Sequence, residues 1–227
     1  MYASLLRPQN FSFPPYLGGT MKKLCLLLLA IAPLFIRAQT HSLEKIWETD
    51  TIVADISNVV VIDIAKGSIL KKIGIDGATG LNDITVDGNG IVYVSYSKAG
   101  KVYRIEKDVP TLYMDNLDGA NGLMATNTGL YILAKKAVLF ADANKNLRTI
   151  TDLPNGGDGI ELAANGDLVV SEWVGYVYYV HADGRKELLL DTHAQKKNTA
   201  DIHYDVATRT LYIPEFFGKA VAAWKLH

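Results

Sequence analysis

The chain has 227 residues, is 49% hydrophobic and 21% charged, and carries 19 glycines and a formal net charge of −1. That is ordinary globular composition, which excludes a disordered or collagen-like chain, and the charge balance offers no footprint for nucleic acid. A single cysteine, Cys25, excludes a disulfide framework and a cysteine-based zinc site.

From the N-terminus, residues 1–20 hold three of the seven prolines and no periodic pattern. They read as a disordered or spurious extension, with Met21 as the true start. Residues 21–38, MKKLCLLLLAIAPLFIRA, read as a signal peptide: a basic Lys22-Lys23 start, an apolar run over Leu24–Ile36, then polar residues from Gln39. The run is too short for a hydrocarbon core of ~30 Å, so no membrane span is expected. Cys25 lies at the start of the run, not at its end where a lipid-anchored cysteine would sit. The remaining domain, residues 39–227, is expected to be periplasmic or secreted.

That domain repeats about every 40 residues. Four segments open on a polar pair and an apolar residue: Asn82-Asp83-Ile84, Asn121-Gly122-Leu123, Asp158-Gly159-Ile160 and, more loosely, Ala200-Asp201-Ile202. After each comes a turn, rich in Gly, Asn or Asp in the first three and Ala207-Thr208-Arg209 in the last, then β-branched and aromatic runs at Ile91–Ser95, Leu130–Leu133, Leu168–Ser171 and Leu211–Ile213. A third run follows at Val102–Ile105, Val138–Phe140, Tyr176–Val180 and Val221–Trp224. Three repeats add a fourth run, at Thr111–Met114, Leu147–Ile150 and Lys186–Leu190. Four strands per repeat of this length predict an all-β fold, a β-propeller of four-stranded blades. A β-sandwich also has short, regularly spaced strands, but it does not explain similar dipeptides recurring at one phase.

The two ends of the array are irregular. Thr51–Asp55, Asn58–Ile64 and Ser68–Ile73 read as second, third and fourth strands without a first. The last repeat ends without a fourth run, and Leu43–Thr49 is the expected pairing partner for its edge. About five blades are therefore present, and the ring is open to incomplete closure.

Asn82, Asn121 and Asp158 hold one phase of three successive repeats, and equivalent inner-strand positions of a propeller converge on its axis. Two amide oxygens and a carboxylate form a hard-oxygen set suited to Ca²⁺ or Mg²⁺. The competing reading is that Asn-Asp, Asn-Gly and Asp-Gly are ordinary turn dipeptides. Glu161, Asp201 and His203, just inside the openings, face either the channel mouth or neighbouring blades. Asp142–Asn146 has the start of a calcium loop but lacks its Gly and Glu, and reads as a hairpin turn. Trp173, Tyr176, Tyr178 and Tyr179 form an aromatic group that either packs between blades or stacks on a sugar.

Three segments carry a family resemblance: Leu81-Asn82-Asp83-Ile84-Thr85-Val86-Asp87, Asn121-Gly122-Leu123 and Gly157-Asp158-Gly159-Ile160-Glu161. Over about residues 43–226 the chain resembles the secreted bacterial branch of the senescence marker protein, gluconolactonase and luciferin-regenerating enzyme family. The resemblance implies a six-bladed propeller with one divalent metal in its channel, most simply Ca²⁺, with Zn²⁺ or Mg²⁺ as alternatives. It implies metal binding by Asn121 and Asp158, a catalytic base at Asp158 and substrate binding at Asn82. The implied activity is hydrolysis of a sugar lactone or similar small ester. The family's remaining ligand, a Glu in the first blade, has no counterpart between Glu48 and Asp55. A propeller that holds a small ligand or protein partner without catalysis, or an inactive truncated family member, are the other readings. Oligomeric state is open.

Overall fold

The computed structural model describes residues 51–163 and 166–227, with side chains from Ala54 onward. The signal peptide, the N-terminal extension and the proposed strand Leu43–Thr49 lie outside the described residues. The rest is β-structure with one short 3₁₀ turn, Ser97–Ala99. Five antiparallel sheets follow one another along the chain, each built from consecutive strands.

The first blade holds β1 (Thr51–Asp55), β2 (Asn58–Asp63) and β3 (Ser68–Gly74). The second holds β4 (Leu81–Val86), β5 (Val92–Tyr96), β6 (Lys101–Glu106) and β7 (Val109–Met114). The third holds β8 (Leu123–Thr126), β9 (Gly129–Ala134), β10 (Ala137–Asp142) and β11 (Leu147–Asp152). The fourth holds β12 (Ile160–Leu162), β13 (Leu168–Glu172), β14 (Tyr176–Val180) and β15 (Lys186–Asp191). The fifth stops at three strands, β16 (His203–Asp205), β17 (Thr210–Glu215) and β18 (Ala220–Lys225). The repeat reading of the sequence is thereby met strand for strand, within two residues at the ends.

One recurring backbone bond fixes which strand is missing from the first blade. In blades two to four a residue one to three positions past the outermost strand donates into the turn between the second and third strands. The pairs are Leu117 N to Gly100 O (2.8 Å), Leu153 N to Lys136 O (2.6 Å) and Thr192 N to Gly175 O (2.8 Å). The first blade repeats it with Ile75 N to Ser57 O (3.0 Å), and Ser57 lies between β1 and β2. So β1 is a second strand, as the sequence reading has it, and the described residues contain no inner strand for that blade.

Each blade alternates its side chains between its two neighbours, because successive residues of a strand point to opposite faces. In the third blade Leu130, Ile132, Leu139 and Ala141 pack toward blade two, whereas Leu133 and Val138 pack toward blade four. Four hydrophobic cores result, one per junction between consecutive blades. Among the described residues no fifth core joins the last blade to the first, and Ile69 and Leu70 on β3, with Val221 and Trp224 on β18, are left exposed.

Local chemistry sets the hairpins. Asp87 Oδ1 accepts from Asn89 N and Ile91 N, Asp142 Oδ1 from Asn144 N and Asn146 N, and Asp205 Oδ1 from Ala207 N and Thr208 N. An aspartate that satisfies the backbone two to four residues ahead mimics a turn and nucleates it. Asp142–Asn146 is accordingly a turn between β10 and β11, and the Asn146 amide holds its carboxyl below the usual range.

Candidate functional site

The recurrent dipeptides extend the inner strands by one step. Asn121 N donates to Leu133 O (2.9 Å) and Leu133 N to Gly122 O (2.8 Å). In the next blade Asp158 N donates to Ser171 O (2.8 Å) and Ser171 N to Gly159 O (2.9 Å). Asn121 and Asp158 thus stand at equivalent points on adjacent blades, and Asn121 Nδ2 donates to Asp158 Oδ1 at 2.5 Å. Asn82, one blade earlier, is joined indirectly: its Nδ2 donates to Ser97 Oγ (3.0 Å), which donates to Ala120 O (2.6 Å), beside Asn121.

Glycine at the next position permits this closeness. A Cβ on Gly122 would meet Asp158 O at 2.4 Å, and one on Gly159 would meet Ile202 N at 2.5 Å. The inner strands are therefore packed backbone against backbone, which brings polar side chains from successive blades within bonding reach. Asp83 Oδ2 accepts from Leu123 N (2.6 Å) and Thr85 Oγ1 from Ala125 N (3.2 Å), stitching β4 to β8. Across the next junction but one, His203 Nδ1 lies 3.0 Å from Glu161 Oε1. Glu161 and His203 therefore face each other between blades four and five.

Electrostatics mark the same end. Burial pushes the Asp158 carboxyl from its ordinary 3.8 up to about 6, and the Asn121 amide pulls partly the other way. Asp201 is driven well above the usual carboxylate range, first by burial and then by the carboxylates of Asp83, Asp158 and Glu161. Those groups come from the second and fourth blades and act on a residue of the fifth, so the acidic side chains converge from several blades. The N–H of the following residue, Ile202, at 3.0 Å from Asp201 Oδ1, offsets this in part.

A metal can be tested against this donor set. Asn82, Asn121 and Asp158 offer only hard oxygens, and the gathered carboxylates repel one another in a way a cation would relieve. The Nδ2 bonds of Asn82 and Asn121 leave both amide oxygens as acceptors. The set suits an oxygen-loving divalent ion. Among the described residues no group of three His, Cys, Asp or Glu side chains is arranged to hold one.

Sequence reasoning missed the groups that support the site. Ser95 and Ser171 are fully buried at one phase of the second strands. Ser171 Oγ accepts from Gly159 N and donates to Ala200 O, both at 2.9 Å. The recurring Val94-Ser95 and Val170-Ser171 were the available signal. Glu172 is also fully buried, its carboxylate gripping Asn155 N (3.0 Å) and Asn155 Nδ2 (2.9 Å), three residues before Asp158. The aromatic group divides: Tyr176 and Tyr178 pack toward blade three, Tyr179 toward blade five, and Trp173 sits in a turn with Phe216 and Phe217. A cleft of about 440 Å³ between blades two and three, lined by Tyr93, Tyr113 and Lys145 among others, includes none of Asn82, Asn121 and Asp158.

Fold and site together define a β-propeller whose polar inner-strand entries gather at one end. No known protein-family profile and no curated protein sequence matches the chain. Solved structures do. A catalytically inactive virginiamycin B lyase of Staphylococcus aureus with quinupristin is similar at 14% identity and a TM-score of 0.64, over 78% of this chain and 63% of that one. A gluconolactonase of Xanthomonas campestris is similar at 19% identity and a TM-score of 0.62, over 74% and 67%. A nidogen/laminin complex gives 15% identity and a TM-score of 0.66, over 78% and 71%. At these identities the likeness establishes the fold, and the chain spans less than two thirds of the length of this lyase and of a streptogramin B lyase structure, 63% and 65%.

Proposed function

We propose that the chain is an exported lactonase-type hydrolase of gluconolactonase kind, opening a sugar lactone or similar small ester at the Asn121–Asp158 end of the blades. One observation carries this reading: a carboxyl raised to about 6 and held by an amide from the neighbouring blade. Such a group is ionised at neutral pH and still basic enough to accept a proton. Asp158 takes the proton of the water that adds to the carbonyl carbon, then returns it to the alkoxide released when the ring C–O bond breaks. Asn82 and Asn121 orient the substrate oxygens. Asn121 and Asp158 would hold a divalent cation, calcium first and zinc or magnesium as alternatives, and the cation would supply positive charge against the carbonyl oxygen. Export rests on the signal-like residues 21–38.

Hydrolysis of glucono-δ-lactone by the full chain, followed by pH-stat with added calcium, tests the reading. The expected result is turnover above background that rises with pH to a plateau and falls by about 10²-fold or more in Asp158→Asn. No turnover of this or simple γ- and δ-lactones would overturn it. The fold likeness to the nidogen/laminin complex favours a second reading, a propeller that binds a ligand or protein without catalysis. Lactone binding without turnover would decide for that.

A further inference from the structure

The turns between second and third strands border the site. In blade two that turn supplies Ser97, which bonds both Asn82 and the backbone beside Asn121. The equivalent turn in blade four starts at Trp173, two residues past the Ser171 that pairs with Asp158 and Gly159, or about 7 Å along the strand. In blade five it is Phe216–Lys219, between β17 and β18.

These two turns place three aromatic rings together. Trp173 lies 5.1 Å from Phe216 and 6.2 Å from Phe217, and the two phenylalanines are 5.1 Å apart, all in tilted or edge-on contact. Phe216 is 42% exposed and Phe217 71%. Their contact with Trp173 turns them toward blade four, so they lie over the blade 4–5 junction. The platform is held from beneath. Asn198 Nδ2 donates to Trp173 O (3.1 Å), and Thr199 Oγ1 donates to Glu172 O (2.7 Å). The charges beside it cancel, since Lys197 Nζ pairs with Glu215 Oε1 at 3.1 Å. Single exposed apolar residues are commonplace, but a contiguous aromatic patch at the rim of a polar site marks a binding surface.

We propose that Trp173, Phe216 and Phe217 form a subsite for an uncharged apolar substituent, aryl or alkyl, on the lactone or ester whose carbonyl lies against Asn121 and Asp158. The inference rests on the hydrolase reading and names its substrate class: an amphiphilic lactone, with its polar ring at the acidic end and its apolar arm across the rings. A polyhydroxylated sugar lactone would leave the rings uncovered.

The experiment compares γ-phenyl-γ-butyrolactone with unsubstituted γ-butyrolactone on the full chain, by pH-stat for turnover and by calorimetry for binding. The phenyl compound is expected to have a kcat/KM at least about tenfold higher, the range an added apolar group gives in a fitted pocket. Phe217→Ser, at an exposed position, should reduce that ratio about tenfold, chiefly through KM, and Phe217→Leu should restore part of it. Ile69→Ser, an exposed apolar site on the first blade, should leave the ratio as it is. If both lactones are hydrolysed with similar kcat/KM and Phe217→Ser changes nothing, the subsite is overturned and the hydrolase reading stands. If neither these two lactones nor glucono-δ-lactone is hydrolysed but the phenyl compound binds and Phe217→Ser weakens it, the hydrolase reading falls and the subsite stands. If none of the three is hydrolysed and none binds, both fall.

Discussion

Replacing Asp158 by asparagine should make the fold more stable at neutral pH while removing activity. The carboxyl binds its proton more tightly in the folded chain than in the unfolded one, where it titrates near 3.8. The folded state therefore loses stability as pH rises from about 4 through about 6, and the full cost is carried above that. At ~1.36 kcal/mol per pKa unit the gap corresponds to about 3 kcal/mol as an upper limit. Asp158 keeps part of its solvent contact, so about 1–2 kcal/mol is the expected share. Asparagine keeps the size of the side chain and can still accept from the Asn121 amide, but it carries no charge. It also relieves Asp201, whose carboxyl is raised in part by Asp158. Urea unfolding in EDTA, at pH 7.5 and at pH 4, measures the difference. Asp158→Asn should be the more stable protein at pH 7.5, and the gain should shrink to a few tenths of a kcal/mol, about the measurement error, at pH 4. Equal stability at both pH values, or a less stable variant at pH 7.5, would refute the burial argument.

Calcium should favour the ionised form of Asp158, so it should move the acid limb of the rate profile downward and raise the melting temperature, and Asp158→Ala should abolish the thermal shift. Gly159→Ala should destabilise by about 1–3 kcal/mol or more, because its Cβ meets the Ile202 backbone nitrogen and not a flexible side chain; an unchanged urea midpoint would contradict the tight inner-strand packing. Asn155→Ala removes the amide partner of buried Glu172 and should cost about 1–3 kcal/mol, with Glu172→Gln as the milder companion.

The repeat was legible because it is written locally. Alternating apolar residues, a turn aspartate at several of the hairpins and one dipeptide per repeat specify strands, turns and phase without reference to anything distant. The same grammar showed β1 to be a second strand, and the backbone bond from Ile75 to Ser57 agrees. Three of the site positions were visible as a phase, yet a phase states equivalence, not contact. Asn121 and Asp158 are 37 residues apart, and only the packing of one blade on the next brings amide and carboxyl to 2.5 Å. The convergence of Asp83, Asp158 and Glu161 on Asp201 arises in the same way. The aromatic group shows the limit most clearly. Tyr176, Tyr178 and Tyr179 are neighbours in the chain, but strand alternation divides them between opposite faces. Trp173 finds its partners in Phe216 and Phe217, more than 40 residues on. Sequence determined which residues alternate and where chains turn, because those are properties of adjacent peptide units. The tertiary structure decided which side chains meet, because contact between blades depends on backbone approach, and that approach is set by glycines whose role lies in the neighbouring blade.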